Sequence, residues 1–251
     1  MLLAIDIGNT TISLGCVKGG RVVKTYDIPT ASSAKQVHLQ LKRLLGKILK
    51  KFHRIDGVVI CSVVPSVLKY VCASVKQLVS CPVSVIGKDI RVPIKNNYRH
   101  PKQVGQDRLL CAYAVKTLYG RPAIVIDFGT AITFDVVSHR GEYEGGMIIP
   151  GIQMSADSLY QKTALLPRID KIRAPRSLVG KDTKHSILSG IFYGYGAMSQ
   201  GLIDMISRSL RGKPKVIVTG GYTHLMKKFV ANKVNKIDPH LVFKGMYLLV
   251  K

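Results

Sequence analysis

Two α/β domains of like topology are predicted from three observations. A motif recurs: residues 2–17 read Leu-Leu-Ala-Ile-Asp6-Ile7-Gly8-Asn9-Thr10-Thr11-Ile12-Ser13-Leu-Gly-Cys-Val17, and residues 123–137 read Ala-Ile-Val-Ile-Asp127-Phe-Gly129-Thr130-Ala131-Ile132-Thr133-Phe-Asp-Val-Val137. With one residue deleted after the glycine, Asp6 falls on Asp127, Gly8 on Gly129, Thr10 on Thr130, Ile12 on Ile132 and Ser13 on Thr133. Each copy is followed by the same succession of strand and helix patterns, which alternate as in α/β folds. The length, 251 residues, is short for two ordinary domains with a linker and suits one compact unit or two intimately packed halves, of which the repeat favours the second. The join falls near residue 120, giving domains 1–120 and 121–251, expected to face one another across a cleft.

Each copy opens with an apolar run of strand length, turns at a polar, glycine-containing cluster and resumes as a β-branched strand, the pattern of a hairpin. Residues 21–28 continue as a third strand. In residues 33–52, Val37, Leu41, Leu44, Leu45, Ile48 and Phe52 recur at helical spacing, with Lys42, Arg43, Lys47, Lys50 and Lys51 between them, so an amphipathic helix with a basic outer face is expected. A buried strand over 57–64, a helix over 66–79, a short strand over 82–86 and a helix over 103–118 complete the first half. In the second half, residues 144–151 read as a strand ending in a sharp Pro150-Gly151 turn. Helices over 154–162 and 185–210 follow, then a strand over 215–219 ending at Gly220-Gly221, and helices over 224–230 and 243–250.

The composition excludes several classes. At 47% hydrophobic and 21% charged residues the chain has enough apolar surface for a packed core, which rules out disorder and collagen. No uncharged apolar run reaches the roughly 18 residues a membrane span needs, and Asp6 stands where a signal peptide would be apolar, so a cytoplasmic protein is expected. The five cysteines form no Cys-x-x-Cys pair and the seven histidines no i,i+4 pair, which argues for buried reduced thiols and against a transition-metal site. There is no Walker P-loop and no dinucleotide fingerprint after a strand. Charge is the unusual quantity: 38 Lys and Arg against 14 Asp and Glu give +24, with Glu142 and Glu144 the only glutamates. The excess lies outside residues 101–150, which are neutral overall.

At the tip of a hairpin, glycine lets a phosphate approach backbone amides, Thr and Asn side chains donate to its oxygens, and a nearby Asp can hold a hydrated cation. One such turn is equally an ordinary polar turn. Two at corresponding places in two halves favour clamping the ends of one polyphosphate.

These motifs resemble the two phosphate motifs of the superfamily of acetate and sugar kinases, heat-shock chaperones and actin, built on duplicated ribonuclease-H-like (actin-like ATPase) domains. Within it the sequence is similar to the type III pantothenate kinases over nearly its whole length. The matching motifs are Asn97-Tyr98-Arg-His-Pro101, Gly105-Gln106-Asp107-Arg108, Gly145-Gly146-Met-Ile-Ile-Pro150-Gly151, Thr163-Ala164-Leu-Leu-Pro167, Gly180-Lys-Asp-Thr183, Ser189-Gly190-Ile-Phe-Tyr-Gly194 and Val218-Thr219-Gly220-Gly221, in that order. The second hairpin departs from many superfamily members in carrying Thr130-Ala131 where they have Thr-Gly.

The resemblance implies ATP-dependent phosphorylation of the primary hydroxyl of pantothenate, the first step of coenzyme A synthesis. It implies a homodimer that uses a divalent cation such as Mg2+ and is activated by K+ or NH4+. It assigns Asp6, Ile7, Gly8, Asn9, Thr10, Thr11, Ile12 and Ser13 to the first ATP phosphate loop, with Asp6 holding the divalent cation through water. Thr130 would bind an ATP phosphate and Asp127 the monovalent cation. Tyr98, Gly105, Gln106, Asp107, Arg108 and Thr183 would line the pantothenate pocket, with Asp107 as base. The residues themselves leave alternatives: an acid opening a helix stays ionised and can accept a proton, yet also simply caps the helix. Arg108 suits a phosphoryl oxygen or its neighbour Asp107. Gly190, Gly194, Gly196 and Gly201 give a smooth helix face for close packing, either across a two-fold axis or inside one chain.

A basic chain also neutralises nucleic-acid phosphates, so a nucleic-acid-associated transcriptional accessory factor on the same fold is the alternative. Against it, the cations are mostly dispersed lysines, no helix-turn-helix or zinc-finger signature occurs, and there is no tryptophan among the aromatics.

Overall fold

The computed structural model describes residues Met1–Lys251. Elements run β1 (Leu2–Ile7), β2 (Thr11–Lys18), β3 (Arg21–Pro29), α1 (Ala34–Phe52), β4 (Gly57–Ser62), α2 (Pro65–Leu78), β5 (Val83–Val85), α3 (Gln106–Leu118), β6 (Ala123–Phe128), β7 (Ala131–Val137), β8 (Tyr143–Pro150), α4 (Ile152–Lys162), α5 (Thr183–Ser209), β9 (Lys215–Thr219), α6 (Thr223–Val230), β10 (Lys236–Ile237) and α7 (Leu241–Leu248). The strands form two sheets of five, ordered β3-β2-β1-β4-β5 and β10-β9-β6-β7-β8. Read from the hairpin edge inward the two orders are the same, so the duplication seen in the sequence is a duplication of topology. In each, the first two strands pair antiparallel and a crossover brings the next strand parallel to the first.

The chain divides into two compact units assembled from more than one stretch each: Met1–Ile94, Arg99–Ala114 and His240–Lys251 in unit 1, Lys95–Tyr98 and Val115–Pro239 in unit 2. The C-terminal helix α7 belongs to unit 1 because small residues fit it there. A side chain at Gly15 of β2 would meet the Phe243 ring at 2.6 Å, and one at Gly245 would meet Leu110 of α3 at 2.9 Å.

Strand alternation sorts unit 1 into two faces. Leu3, Ile5 and Ile7 of β1 join Ile12, Leu14, Val58 and Ile60 in a core with Val37, Leu41, Leu45 and Ile48 of α1 and Val67, Val71 and Val75 of α2. The other face gathers Ala4, Val59 and Cys61 with Leu110 of α3 and Phe243 and Met246 of α7. Asp6 follows Ala4 on that second face. In unit 2, Ile124, Ile126 and Phe128 of β6 face a core with Ile132, Phe134, Val216, Val218 and Phe229. Asp127 is turned to the opposite side by the same alternation.

Several helix starts differ from the sequence expectation, each for a local reason. Ser33 caps α1, accepting from the Gln36 amide at 3.3 Å while the Gln36 side chain accepts from the Ser33 amide at 2.9 Å. The helix expected from residue 103 starts at Gln106, since a 3₁₀ turn over Pro101–Gln103 is followed by Val104 in extended backbone. α5 starts at Thr183 because the Asp182 carboxylate accepts from the His185 amide at 3.0 Å and caps it. The two-residue strand β10 carries too little pattern to be read from sequence.

Candidate active site

The first hairpin tip is held from below. The Gly8 amide donates to the Thr11 carbonyl at 3.0 Å, and a side chain at Gly8 would lie 3.3 Å from that oxygen. Thr30, just past β3, donates its hydroxyl to the Gly8 carbonyl at 2.8 Å and its amide to the Thr10 carbonyl at 3.0 Å. Thr30 is 7% exposed and was not among the predicted residues; only its place next to the tip reveals it. With the carbonyls so engaged, exposed Asn9 and Thr10 and half-buried Thr11 are left at the surface of the tip. Ile7 and Ile12 are fully buried in the core, so only their backbone is available there. The Ser13 hydroxyl donates to Asp27 Oδ1 at 2.6 Å, so its proton is committed to the neighbouring strand.

Asp6 pairs with Ser13 on one side and with Cys61 of β4 on the other. Asp107, in the first turn of α3, comes to the same sheet end. The Cys61 thiol, fully buried, is pushed well above its ordinary range, first by desolvation and then by the charges of Asp6 and Asp107. Asp107 Oδ1 accepts from the Arg108 amide at 2.8 Å, where the helix N-terminus favours a carboxylate. A side chain at Gly105 would collide with Asp107 Oδ1, so glycine there leaves the carboxylate room to turn back over the start of the helix. Gln106 packs on Gly87, which has φ +84°, and borders a cavity of about 390 Å³ with Leu68, Val85 and Ile86. Arg108 is half-buried beside Asp107.

The second hairpin is gripped by two glycine corners. Asp127 pairs with Thr133 and with Thr219, the counterpart of Cys61 in the first sheet. The tip is one residue shorter, with the Gly129 amide donating to the Ala131 carbonyl at 3.2 Å. A side chain at Gly151, before α4, would strike the Thr130 carbonyl; one at Gly220, which has φ +96°, would strike Asp127 Oδ1 and the Phe128 backbone. The Tyr222 amide donates to the Phe128 carbonyl at 3.0 Å. Asp127 and Thr130 are thereby held half-buried on a tightly packed turn. The glycines were legible as motif letters; that they fence in Asp127 was not.

Tyr98, 36% exposed, lies on the short segment that belongs to unit 2, with its ring against Gly145 of β8. Thr183 is the exposed first residue of α5 in unit 2. Gly105 to Arg108 and the first hairpin belong to unit 1, Asp127 and Thr130 to unit 2.

No group of three or more His, Cys, Asp or Glu side chains forms a metal cage. The donors near the hairpin tips are oxygens of Asp, Thr and Ser. That set fits Mg2+, which keeps most of its waters and takes its remaining ligands from one or two carboxylates and substrate phosphates. It lacks the His and Cys donors that Zn, Cu or Ni sites use. No helix is long and apolar enough to cross a membrane.

A likeness to solved structures bears on the fold alone. The ethanolamine utilization protein EutJ from Carboxydothermus hydrogenoformans superposes with a TM-score of 0.59 at 14% identity, over 98% of this chain and 89% of that one. Sequence relatives reach further. Type III pantothenate kinases from Persephonella marina and Moorella thermoacetica are each 39% identical, covering 98% and 99% of this chain and 97% and 98% of their own length. The family model described as type III pantothenate kinase matches residues 2–205, which include both hairpins, the Gly105–Arg108 turn and Thr183. With a duplicated fold, oxygen-lined hairpin tips and full-length identity of this order, the chain belongs to the type III pantothenate kinase family.

Proposed function

We infer that the protein transfers the γ-phosphoryl group of ATP to the primary hydroxyl of pantothenate, giving 4′-phosphopantothenate and ADP in the first step of coenzyme A biosynthesis. Membership of the family carries the activity. The observation that supports the placement of chemistry is the convergence of Asp6 and Asp107 on Cys61. It brings the first hairpin and the Asp107 carboxylate to one end of one sheet. Phosphoryl transfer asks for alignment and charge neutralisation more than for covalent catalysis.

In this reading Asn9, Thr10 and Thr11 donate to phosphate oxygens, and the backbone of residues 6–13 lies along them. Asp107 accepts the hydroxyl proton as the substrate oxygen attacks phosphorus and the bond to the β-phosphate oxygen breaks. Arg108 balances charge on the acceptor side. Tyr98, Gly105, Gln106 and Thr183 shape the pantothenate pocket, and Thr130 contacts the nucleotide. Mg2+, when bound, neutralises the polyphosphate, with Asp6 holding it through water. Asp127, fenced by Gly220 and Gly129, is the ligand for K+ or NH4+.

We further propose that the enzyme works as a homodimer in the cytoplasm. Gly190, Gly194 and Gly201 of α5 have open space where a side chain would stand, whereas Gly196 packs on Phe229 at 2.8 Å. The exposed stripe supports a helix crossing between two copies, and Met205, one turn after Gly201 and 65% exposed, adds apolar surface to it. All five cysteines are free, in keeping with a reducing compartment. The nucleic-acid reading finds no support in the relatives. ADP release measured with ATP, with and without pantothenate, tests the activity: ADP formation that does not depend on pantothenate would overturn it.

A further inference from the structure

The only two glutamates of the chain converge on one amide. Asn97 Nδ2 donates to Glu142 Oε2 at 2.9 Å and to Glu144 Oε1 at 3.2 Å, and Lys95 Nζ pairs with Glu142 Oε1 at 3.0 Å. The convergence has a backbone cause. The register of β7 with β8 shifts between Val136 and Val137, so that Val136 faces Gly145, Val137 faces Tyr143, and Glu144 is the extra residue of a bulge. A bulge re-aims side chains.

Between the two glutamates, Tyr143 is the anchor. Its amide donates to the Lys95 carbonyl at 2.8 Å and its carbonyl accepts from the Asn97 amide at 2.9 Å, laying residues 95–97 along the edge of β8. Its fully buried ring directs the hydroxyl onto Asp135 Oδ1 at 2.8 Å, and Thr133 donates to the other oxygen of that carboxylate at 3.1 Å. A rigid core network thus extends outward into the clasp. The clasp ends at Tyr98, whose amide donates to Asn96 Oδ1 at 3.0 Å. The Tyr98 ring atoms Cδ2 and Cε2 lie 3.3 and 3.5 Å from where a side chain at Gly145, φ +115°, would stand. This explains why Lys95–Tyr98 belongs to unit 2 while the residues on both sides of it belong to unit 1.

We propose that Glu142 is a positioning residue for pantothenate: acting through Asn97 and Lys95, it holds the Lys95–Tyr98 segment on β8 and so fixes the ring of Tyr98. Its side chain is only 17% exposed, and the Asn97 and Lys95 donors hold its carboxyl below the usual range, so it is charged and engaged at neutral pH. Glu144, exposed and at the longer distance, is the auxiliary acceptor. The inference rests on the assignment of Tyr98 to the pantothenate pocket.

The test is steady-state kinetics on the full chain with ATP and pantothenate varied in turn. Glu142→Ala should raise KM for pantothenate roughly tenfold, the scale on which a displaced positioning group acts, and leave KM for ATP and kcat near parental values. Asn97→Ala, which spares every backbone contact of the clasp, should show the same split and covers the case in which Glu142→Ala folds poorly. Glu142→Gln, which keeps an acceptor for Asn97, should lie between Glu142→Ala and the parent. In a Tyr98→Ala background, Glu142→Ala should add nothing, because both act through one ring.

A readout independent of activity is available because the chain has no tryptophan. Tyr98→Trp introduces a single tryptophan, excited selectively beyond the tyrosine absorption band, and Glu142→Ala or Asn97→Ala should increase its acrylamide quenching. If Tyr98→Ala raises KM for pantothenate but Glu142→Ala and Asn97→Ala do not, the positioning role is overturned and Tyr98 stands. If Tyr98→Ala leaves that KM unchanged, the assignment of Tyr98 fails and this inference fails with it. Equal rises in both KM values, or additive effects in the double variant, would show a structural role only and overturn the proposal.

Discussion

Asp6 and Asp107, from the end of β1 and the first turn of α3, bear on one and the same buried thiol, that of Cys61 on β4. Parallel pairing sets Asp6 beside Cys61, and the packing of Leu110 against Ala4 and Val59 brings the start of α3 over them. The thiol stays protonated, so the group on which both carboxylates act is neutral. Much of the expected chemistry hangs on this arrangement.

Asp107→Asn is expected to fold and to bind ATP like the parent while losing turnover by about two to four orders of magnitude, the usual worth of a positioned general base. The amide retains the acceptor oxygen for the Arg108 amide, so the helix start is preserved. Single-turnover phosphorylation and nucleotide affinity measured side by side check it; near-parental turnover in a folded variant removes Asp107 from the mechanism.

Asp127→Ala should abolish activation by K+ or NH4+ and leave a low, salt-independent rate. A carboxylate supplies both charge and an oxygen ligand to a monovalent cation, and Asp127 holds one beside the tip of the second hairpin. Titrating activity with KCl at constant ionic strength decides the matter, and an unchanged activation curve would count against the assignment.

Gly220→Ala is expected to be strongly destabilising, on the order of 2–3 kcal/mol or more, because φ +96° is strained for alanine and its methyl would press on Asp127 and the Phe128 backbone. Gly221→Ala, one residue on, meets nothing within 4 Å and should be near neutral. Urea midpoints of the two variants give the comparison; equal midpoints would show that the corner is not tight.

Tyr119 donates to Asp238 Oδ2 at 2.7 Å, and Asp238 is 3% exposed. Removing the hydroxyl in Tyr119→Phe should cost about 1.5–3 kcal/mol, the range for a hydrogen bond to a charged partner. Burial and the Asp238 carboxylate push the phenol above its ordinary range. A raised folded-state value stabilises below the unfolded phenol pKa of about 10 and is lost as pH rises from there toward the folded value. The stability gap between parent and variant should therefore be constant from pH 7 to 9 and close above about pH 10. A gap that stayed constant through alkaline pH would refute the pairing.

How much was legible beforehand varies with the kind of information. The hairpins, the α1 face and the buried strands were readable because alternation and helical spacing are local properties of the chain. Helix starts were missed where the local backbone or a cap decides them, as at extended Val104 before α3 and at Asp182 before α5. The roles of Asp6, Asp107 and Asp127 were suggested by resemblance, while Thr30 beneath the first tip carried no sequence signal. That Ser13, expected in the first phosphate loop, bonds Asp27 on the adjoining strand depends on register and was not legible either.

The amino-acid sequence by itself determined the duplication, the order of strands and helices and the family, since each is written in residue types and spacings within a short window. Tertiary structure alone decided which carboxylates meet at Cys61, which glycines pack and which stay open on α5, why α7 joins unit 1, and how Glu142 and Glu144 share Asn97. Those outcomes depend on register, a bulge and the fit of one side chain against a distant glycine, and such pairings between remote segments leave no periodic trace along the chain.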